Sequence, residues 1–256
     1  MPRLPAIFVG VCRWVILLAL ASGCHGVLGL VPVSDRNPDA ALDVAIDGPL
    51  PAPVAYFNFN GNRTNKAAGD MATCDPNCPD TSAAGKLGEG AAFNGSNDCL
   101  FYPPTGLFPS LATFTVAFWL NDSTDTQYAL VGVPHIPTTS TDDSWIVETD
   151  TSMTIRYTTY FNGPYTVTAP ASFTIGEWHH VAVTFSGDAM EIYVDGVPKT
   201  RTALLAGVQY DSAPALRIGC DVDNGFETHL FAGTLDELYV FASVLTDPQI
   251  ALLATP

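Results

Sequence analysis

From Val54 onward the chain is a succession of short runs rich in Val, Ile, Thr, Phe, Tyr and Trp, each closed by a cluster of Gly, Pro, Asn or Asp. No stretch sustains a helical period, and no helix-length segment alternates with the strand-like runs. That pattern excludes a helical bundle and a parallel α/β sheet, and leaves an antiparallel sandwich. Phe114 to Leu120 is apolar throughout, as a strand covered on both faces must be. Trp178 to Phe185 alternates, setting Trp178, His180, Ala182 and Thr184 on one face and His179, Val181, Val183 and Phe185 on the other. Ile192-Tyr193-Val194 runs into Asp195-Gly196, a dipeptide suited to a tight hairpin turn. A last strand, Thr234 to Phe241, precedes Thr246-Asp247-Pro248, which can start a short helix.

The residues before Val54 read differently. Arg3 and Arg13 flank a short apolar core, Trp14 to Leu20, which ends in Leu20-Ala21-Ser22-Gly23-Cys24. This has the form of an export signal over residues 1–24 and resembles a bacterial lipobox, with Cys24 as the lipidated residue. An ordinary secretory signal is the alternative; both readings export the chain, to the outer membrane or cell surface as a lipoprotein or into the medium as a secreted protein. Residues 25–53, with prolines at 32, 38, 49, 51 and 53, read as a linker. Membrane contact is then expected through a lipid anchor only, since no later segment is apolar for long enough to span a bilayer.

Ten Lys and Arg stand against 26 Asp and Glu, a formal net charge of −16 that repels phosphate backbones and argues against a nucleic-acid partner. Besides Cys12 and Cys24, four cysteines remain, Cys74, Cys78, Cys99 and Cys220, an even number that suits disulfides in an oxidising compartment. Three pairings are open to them; a local Cys74–Cys78 bridge is one option, and a Cys99–Cys220 bridge would close a long loop.

Five fragments carry a family resemblance: Gly90 to Asp98, Phe114 to Trp119, Glu177 to Phe185, Ile192 to Gly196, and Gly233 to Val240. In this order they resemble laminin-G-like domains, which implies an all-β, concanavalin A-like jelly roll of two antiparallel sheets over residues 54–256. Members often hold calcium between the start of the domain and the last strand. The matching residues here are Asn60, Asn65 and Asp236, so calcium is the implied cofactor; two of the three are amides where relatives carry acids, which lowers the charge available to a divalent ion. Asp221, Asp223 and Glu227 form a second acidic group.

Some relatives of this sandwich are glucanases with a Glu-x-Asp-x-x-Glu string. The string is absent, no nucleophile elbow or zinc-protease motif occurs, and adjacent carboxylates such as Asp236 and Glu237 point apart on a strand. The chain is therefore expected to be no enzyme but a binding module for a glycan or, alternatively, an adhesion or structural module contacting a surface protein. Five aromatics read as loop residues fit to stack on sugar rings: Tyr128, Trp145, Tyr160, Phe161 and Tyr165.

Overall fold

The structure is a computed structural model that describes residues 48–74, 76–102, 110–134, 143–203, 207–210 and 214–256. The expected signal, Cys24 and the linker up to residue 47 lie outside the described residues. The strands are β1 (Ala55–Phe57), β2 (Thr73–Cys74), β3 (Asp80–Ala84), β4 (Glu89–Asn94), β5 (Leu100–Tyr102), β6 (Phe114–Asp122), β7 (Tyr128–Pro134), β8 (Asp143–Asp150) and β9 (Thr154–Tyr160). They continue as β10 (Pro164–Ala169), β11 (His179–Phe185), β12 (Ala189–Val194), β13 (Val197–Ala203), β14 (Leu216–Ile218), β15 (Asp221–Asp223), β16 (Phe226–Thr228) and β17 (Ala232–Phe241), before one short helix, α1 (Asp247–Leu253).

Two large antiparallel sheets make the sandwich, as the repeating strand pattern requires. One has eight strands in the order β13-β12-β11-β6-β17-β4-β3, with β1 also paired to β17; the other has seven in the order β10-β9-β8-β7-β14-β5-β2. The hairpin β15-β16 stands apart as a two-stranded sheet. Between the large sheets lies one core in which Phe114, Phe118, Val181 and Val183 from the first meet Trp145, Val147, Ile155 and Tyr157 from the second. Trp145 packs on Phe114 with ring centroids 5.2 Å apart, and Phe114 on Phe185 at 5.6 Å.

The apolar run of β6 is explained by a second, smaller cluster outside the sandwich. Ala117, Ala182, Tyr193 and Phe241 turn outward and are covered by Leu245 and Ile250. Helix α1 begins after Thr246, whose N–H donates to the Gln249 side chain, with a proline in its first turn. Leu50, which sequence alone places in the linker, packs against this cluster, and Gln249 reaches the Pro49 carbonyl at 3.5 Å. The Asp195-Gly196 turn has φ of +53° and +74°, the doubly left-handed geometry expected of a two-residue hairpin. The histidine pair diverges as its spacing requires. His179 Nδ1 meets Asp195 at 2.8 Å, whereas His180 lies edge-on to Trp119 at 5.4 Å.

Both disulfides close, Cys74–Cys78 across 4 positions and Cys99–Cys220 across 121. The second staples β5 to β14, which already pair through Ile218 and Leu100. A cross-link stabilises chiefly by removing freedom from the unfolded chain, more for longer loops. Replacing Cys99 and Cys220 by Ser should therefore lower unfolding free energy by about 5 kcal/mol, against about 2 kcal/mol for Cys74 and Cys78, measured by urea unfolding.

His180 supplies a pH test. It is 1% exposed, and burial lowers its pKa to about 4, with Asp195 pulling weakly the other way. Between the ordinary histidine value of about 6.5 and about 4 the unfolded chain takes up a proton that the folded chain refuses, so His180 costs stability as pH falls through that window. The full effect is about 3 kcal/mol. As pH falls from 7 to 4, the unfolding free energy of His180→Gln should gain about 3 kcal/mol relative to that of the parent chain.

Candidate functional site

The inward faces are consumed by the core, so chemistry must sit on the outward ones. On the seven-stranded sheet, alternation that buries Trp145 and Val147 turns Ile146 and Glu148 outward, where they face Thr158 and Arg156 of β9 across the ladder. Thr158 and Tyr160 in turn face Thr166 and Pro164 of β10. With Gln127, Asp143, Asp221, Asp223 and His229 they line a cleft of about 330 Å³.

Its charges are held by one another. Glu148, 3% exposed, accepts from Arg156 Nε at 2.8 Å and Nη2 at 2.6 Å, and from Gln127 at 3.1 Å. Arg156 also approaches Asp150 at 3.7 Å. Burial, then the charge of Asp221 and a hydrogen bond to it, raises the Asp143 carboxyl well above its ordinary range. The β15-β16 hairpin delivers the rest through an Asn224-Gly225 turn with φ of +51° and +81°. Asp223 accepts from the Thr228 hydroxyl at 2.8 Å, and His229 Nδ1 stands 3.8 Å from Asp221 and 3.7 Å from Asp223. The neighbouring Asp221 carboxylate raises the His229 pKa, against its partial burial. Cross-strand pairing of Asp223 with Phe226 puts that ring on the face that carries the two aspartates, at the hairpin tip and 72% exposed.

Sequence reasoning foresaw little of this. Of the five aromatics, Tyr160 alone lines the cleft. Trp145 is no loop platform: it belongs to β8, is 0% exposed and packs in the core, because its parity is that of Val147. Tyr128 is likewise a strand residue that packs edge-on against Phe231 and bonds Thr124. Tyr165 has the opposite parity to Thr166 and, like Phe161, is 39% exposed outside the cleft. Of the second acidic group, Asp221 and Asp223 come together, whereas Glu227 pairs with Val222 on the other face of the hairpin. His229 takes its place, with donor atoms of the three within 4.8 Å of one another. Two carboxylates and an imidazole suit zinc better than calcium, which prefers oxygen alone. The signals overlooked were the Asn-Gly turn and the Ile146/Glu148 alternation.

Asn60, Asn65 and Asp236, the residues expected to hold calcium, each accept from backbone N–H groups. Asn65 Oδ1 accepts from the Tyr56 and Ala67 amides at 2.9 and 3.0 Å, filling both lone pairs, and its amide donates to Tyr102 at 2.8 Å. Asn60 Oδ1 accepts from the Glu89 amide at 2.7 Å, and the Asp236 carboxylate from Leu87 and Glu237, each at 2.8 Å. The Asn65 side-chain oxygen therefore has no lone pair left for a cation. Burial raises the Asp236 pKa to about 6 against the lowering effect of those amides. Asn65→Ala should cost about 2–4 kcal/mol, equally with calcium and with chelator, in thermal or urea unfolding.

A family profile described as the concanavalin A-like lectin/glucanases superfamily matches residues 94–251. Sushi, von Willebrand factor type A, EGF and pentraxin domain-containing protein 1 of Rattus norvegicus is 30% identical over 164 residues, 59% of this chain. The chain spans only 4% of that protein's length, and the same holds for the Mus musculus protein. Among solved structures, domain 4 of AbnA, a GH43 extracellular arabinanase of Geobacillus stearothermophilus in complex with arabinotriose, superposes with a TM-score of 0.60 at 18% identity, covering 79% of this chain and 98% of that one. The CBM40 of Ruminococcus gnavus IT-sialidase, bound to α2,3-sialyllactose, gives 0.51 at 14% identity over 57% and 83% of the two chains. A pentraxin of Limulus polyphemus gives 0.51 at 20% over 64% and 80%.

Proposed function

Because the chain belongs to the concanavalin A-like lectin/glucanases superfamily, we propose that it is a non-catalytic module that binds a glycan in the cleft on the seven-stranded sheet. The observation that carries the reading is the cleft's composition. Polar groups held in place by one another, Glu148 on Arg156 and Gln127 and Asp223 on Thr228, lie beside an aromatic ring at one wall, Tyr160, and an exposed one at the hairpin tip, Phe226. A sugar needs that pairing: hydroxyls hydrogen-bond to fixed polar groups while the apolar ring face rests on an aromatic. The arabinanase domain and the CBM40 carry arabinotriose and sialyllactose in their own structures, which supports sugar as the ligand class.

Binding is favoured over hydrolysis by the same geometry. Glu148 is held by Arg156 and Gln127 and has no freedom to act as acid or base. The two disulfides fit an oxidising, exported setting, where lipidation at Cys24 would tether the module to the membrane. Among the described residues no helix is long and apolar enough to cross a bilayer.

A polysaccharide panel tested by calorimetry, with calcium and with chelator, decides the matter. Tyr160→Ala and Phe226→Ala should each weaken binding about three- to tenfold, the worth of one aromatic contact, without changing the unfolding midpoint. A silent panel transfers the reading to a surface-protein partner.

A further inference from the structure

The opposite side of the sandwich holds a cavity that the glycan reading does not use. It lies on the outer face of the eight-stranded sheet, has a volume of about 180 Å³, and is lined by Trp119, His180, Glu237 and Tyr239 with Leu50 and Leu252 among its apolar walls. A cavity of about 150 Å³ is enough to take up a benzene ring, so this one admits a single ring. We propose that it binds a ring-sized ligand carrying a protonated amine.

Glu237 supplies the first argument. It sits at the irregularity of β17 with φ of +49°, a left-handed conformation that a non-glycine side chain adopts only when its surroundings impose it. The residue is 8% exposed, and one carboxylate oxygen accepts from the Tyr56 and Tyr239 hydroxyls at 2.7 and 2.9 Å. Burial first, and then the Glu237 charge, pushes the Tyr56 hydroxyl up to about 12, so it stays a neutral donor. Among the described residues no cationic side chain pairs with Glu237. A buried carboxylate that has hydrogen bonds and no counter-charge is incomplete, and a cation in the adjoining cavity completes it.

The walls argue the same way. Indole and phenol faces attract cations, and the Lys86 ammonium already stands 4.2 Å over the Trp119 ring. Tyr239 is stacked on Tyr56 at 4.2 Å, which fixes its plane. His180 is 1% exposed, its Nδ1 has no hydrogen-bond partner, and burial keeps the ring neutral down to about pH 4, so it offers hydrogen bonding without repelling a cation. The charged groups around it are Asp195, which accepts from its backbone amide at 2.9 Å, Glu237, which lines the same cavity, and Lys86 over the Trp119 ring. The leucines take the ring body, and the net charge of −16 enriches cations at the surface.

The test titrates the full chain with cyclohexylammonium and with cyclohexanol, its neutral counterpart, following tryptophan fluorescence and heat. Glucosamine and glucose form a second pair that separates an amino sugar from a simple amine. The charged member of at least one pair should bind at least about tenfold more tightly. Glu237→Gln should erase that preference, and Leu252→Trp at the mouth should block binding even if the first variant folds poorly. Equal affinity for charged and neutral members, no binding by any of the four, or a preference that survives Glu237→Gln and Leu252→Trp overturns the proposal.

Discussion

The sandwich depends on a single irregularity in β17. This strand pairs with β1, β4 and β6 at once, and both Leu235 and Leu238 belong to the core. In an unbroken strand, positions three apart point to opposite faces, so both leucines can turn inward only if the alternation is reset between them. The register shift between Asp236 and Tyr239 performs that reset. Resetting it frees backbone amides, and Asp236, fully buried, takes up those of Glu237 and Leu87. The same carboxylate therefore fixes the reset and anchors the turn between β3 and β4. Gly85 has no alternative there, because a Cβ would lie 2.6 Å from Asp236 Oδ2.

That arrangement makes the two outward faces unequal. Around the reset the eight-stranded sheet presents Glu237 and its tyrosines, and α1 with Leu245 closes over the neighbouring apolar patch. The seven-stranded sheet carries no helix among the described residues, and its outward threonines and charged residues are bounded by the β15-β16 hairpin instead. One face is partly roofed and aromatic; the other is open and polar. Edge strand β13 shows the same economy: it is exposed along most of its length and carries Pro198, Lys199 and Arg201, which discourage pairing with another chain.

Sequence carried the fold further than the site. A continuous apolar β6, an Asp-Gly turn and an alternating β11 are local signals, and each appears in the structure where the periodicity puts it. Trp145 misled because Asp142-Asp143-Ser144 has turn composition, whereas the strand already starts at Asp143 and absorbs an irregularity against Val133 and Pro134. Asn65 was read for its oxygen as a metal donor, and in the fold that oxygen caps backbone amides, a role equally open to an asparagine in a tight turn. The cleft was beyond reach for another reason. Glu148 and His229 become neighbours only once β8, β7 and the hairpin are in register, and no local pattern encodes a pairing across that much chain.

The two outward sites differ most in how their acids are balanced. In the cleft, Glu148 is matched by Arg156, and His229 leans on Asp221 and Asp223. Such a site ties its acids to fixed partners and presents directed donors and acceptors, which neutral hydroxyls can satisfy. At Glu237 the balance is left open: two phenols hydrogen-bond to the carboxylate, but neither carries charge. A ligand there is selected by its charge before its shape, and one in the cleft by the pattern of its hydroxyls. The two proposed specificities thus follow from one difference in electrostatic closure, on opposite faces of a core that neither site disturbs.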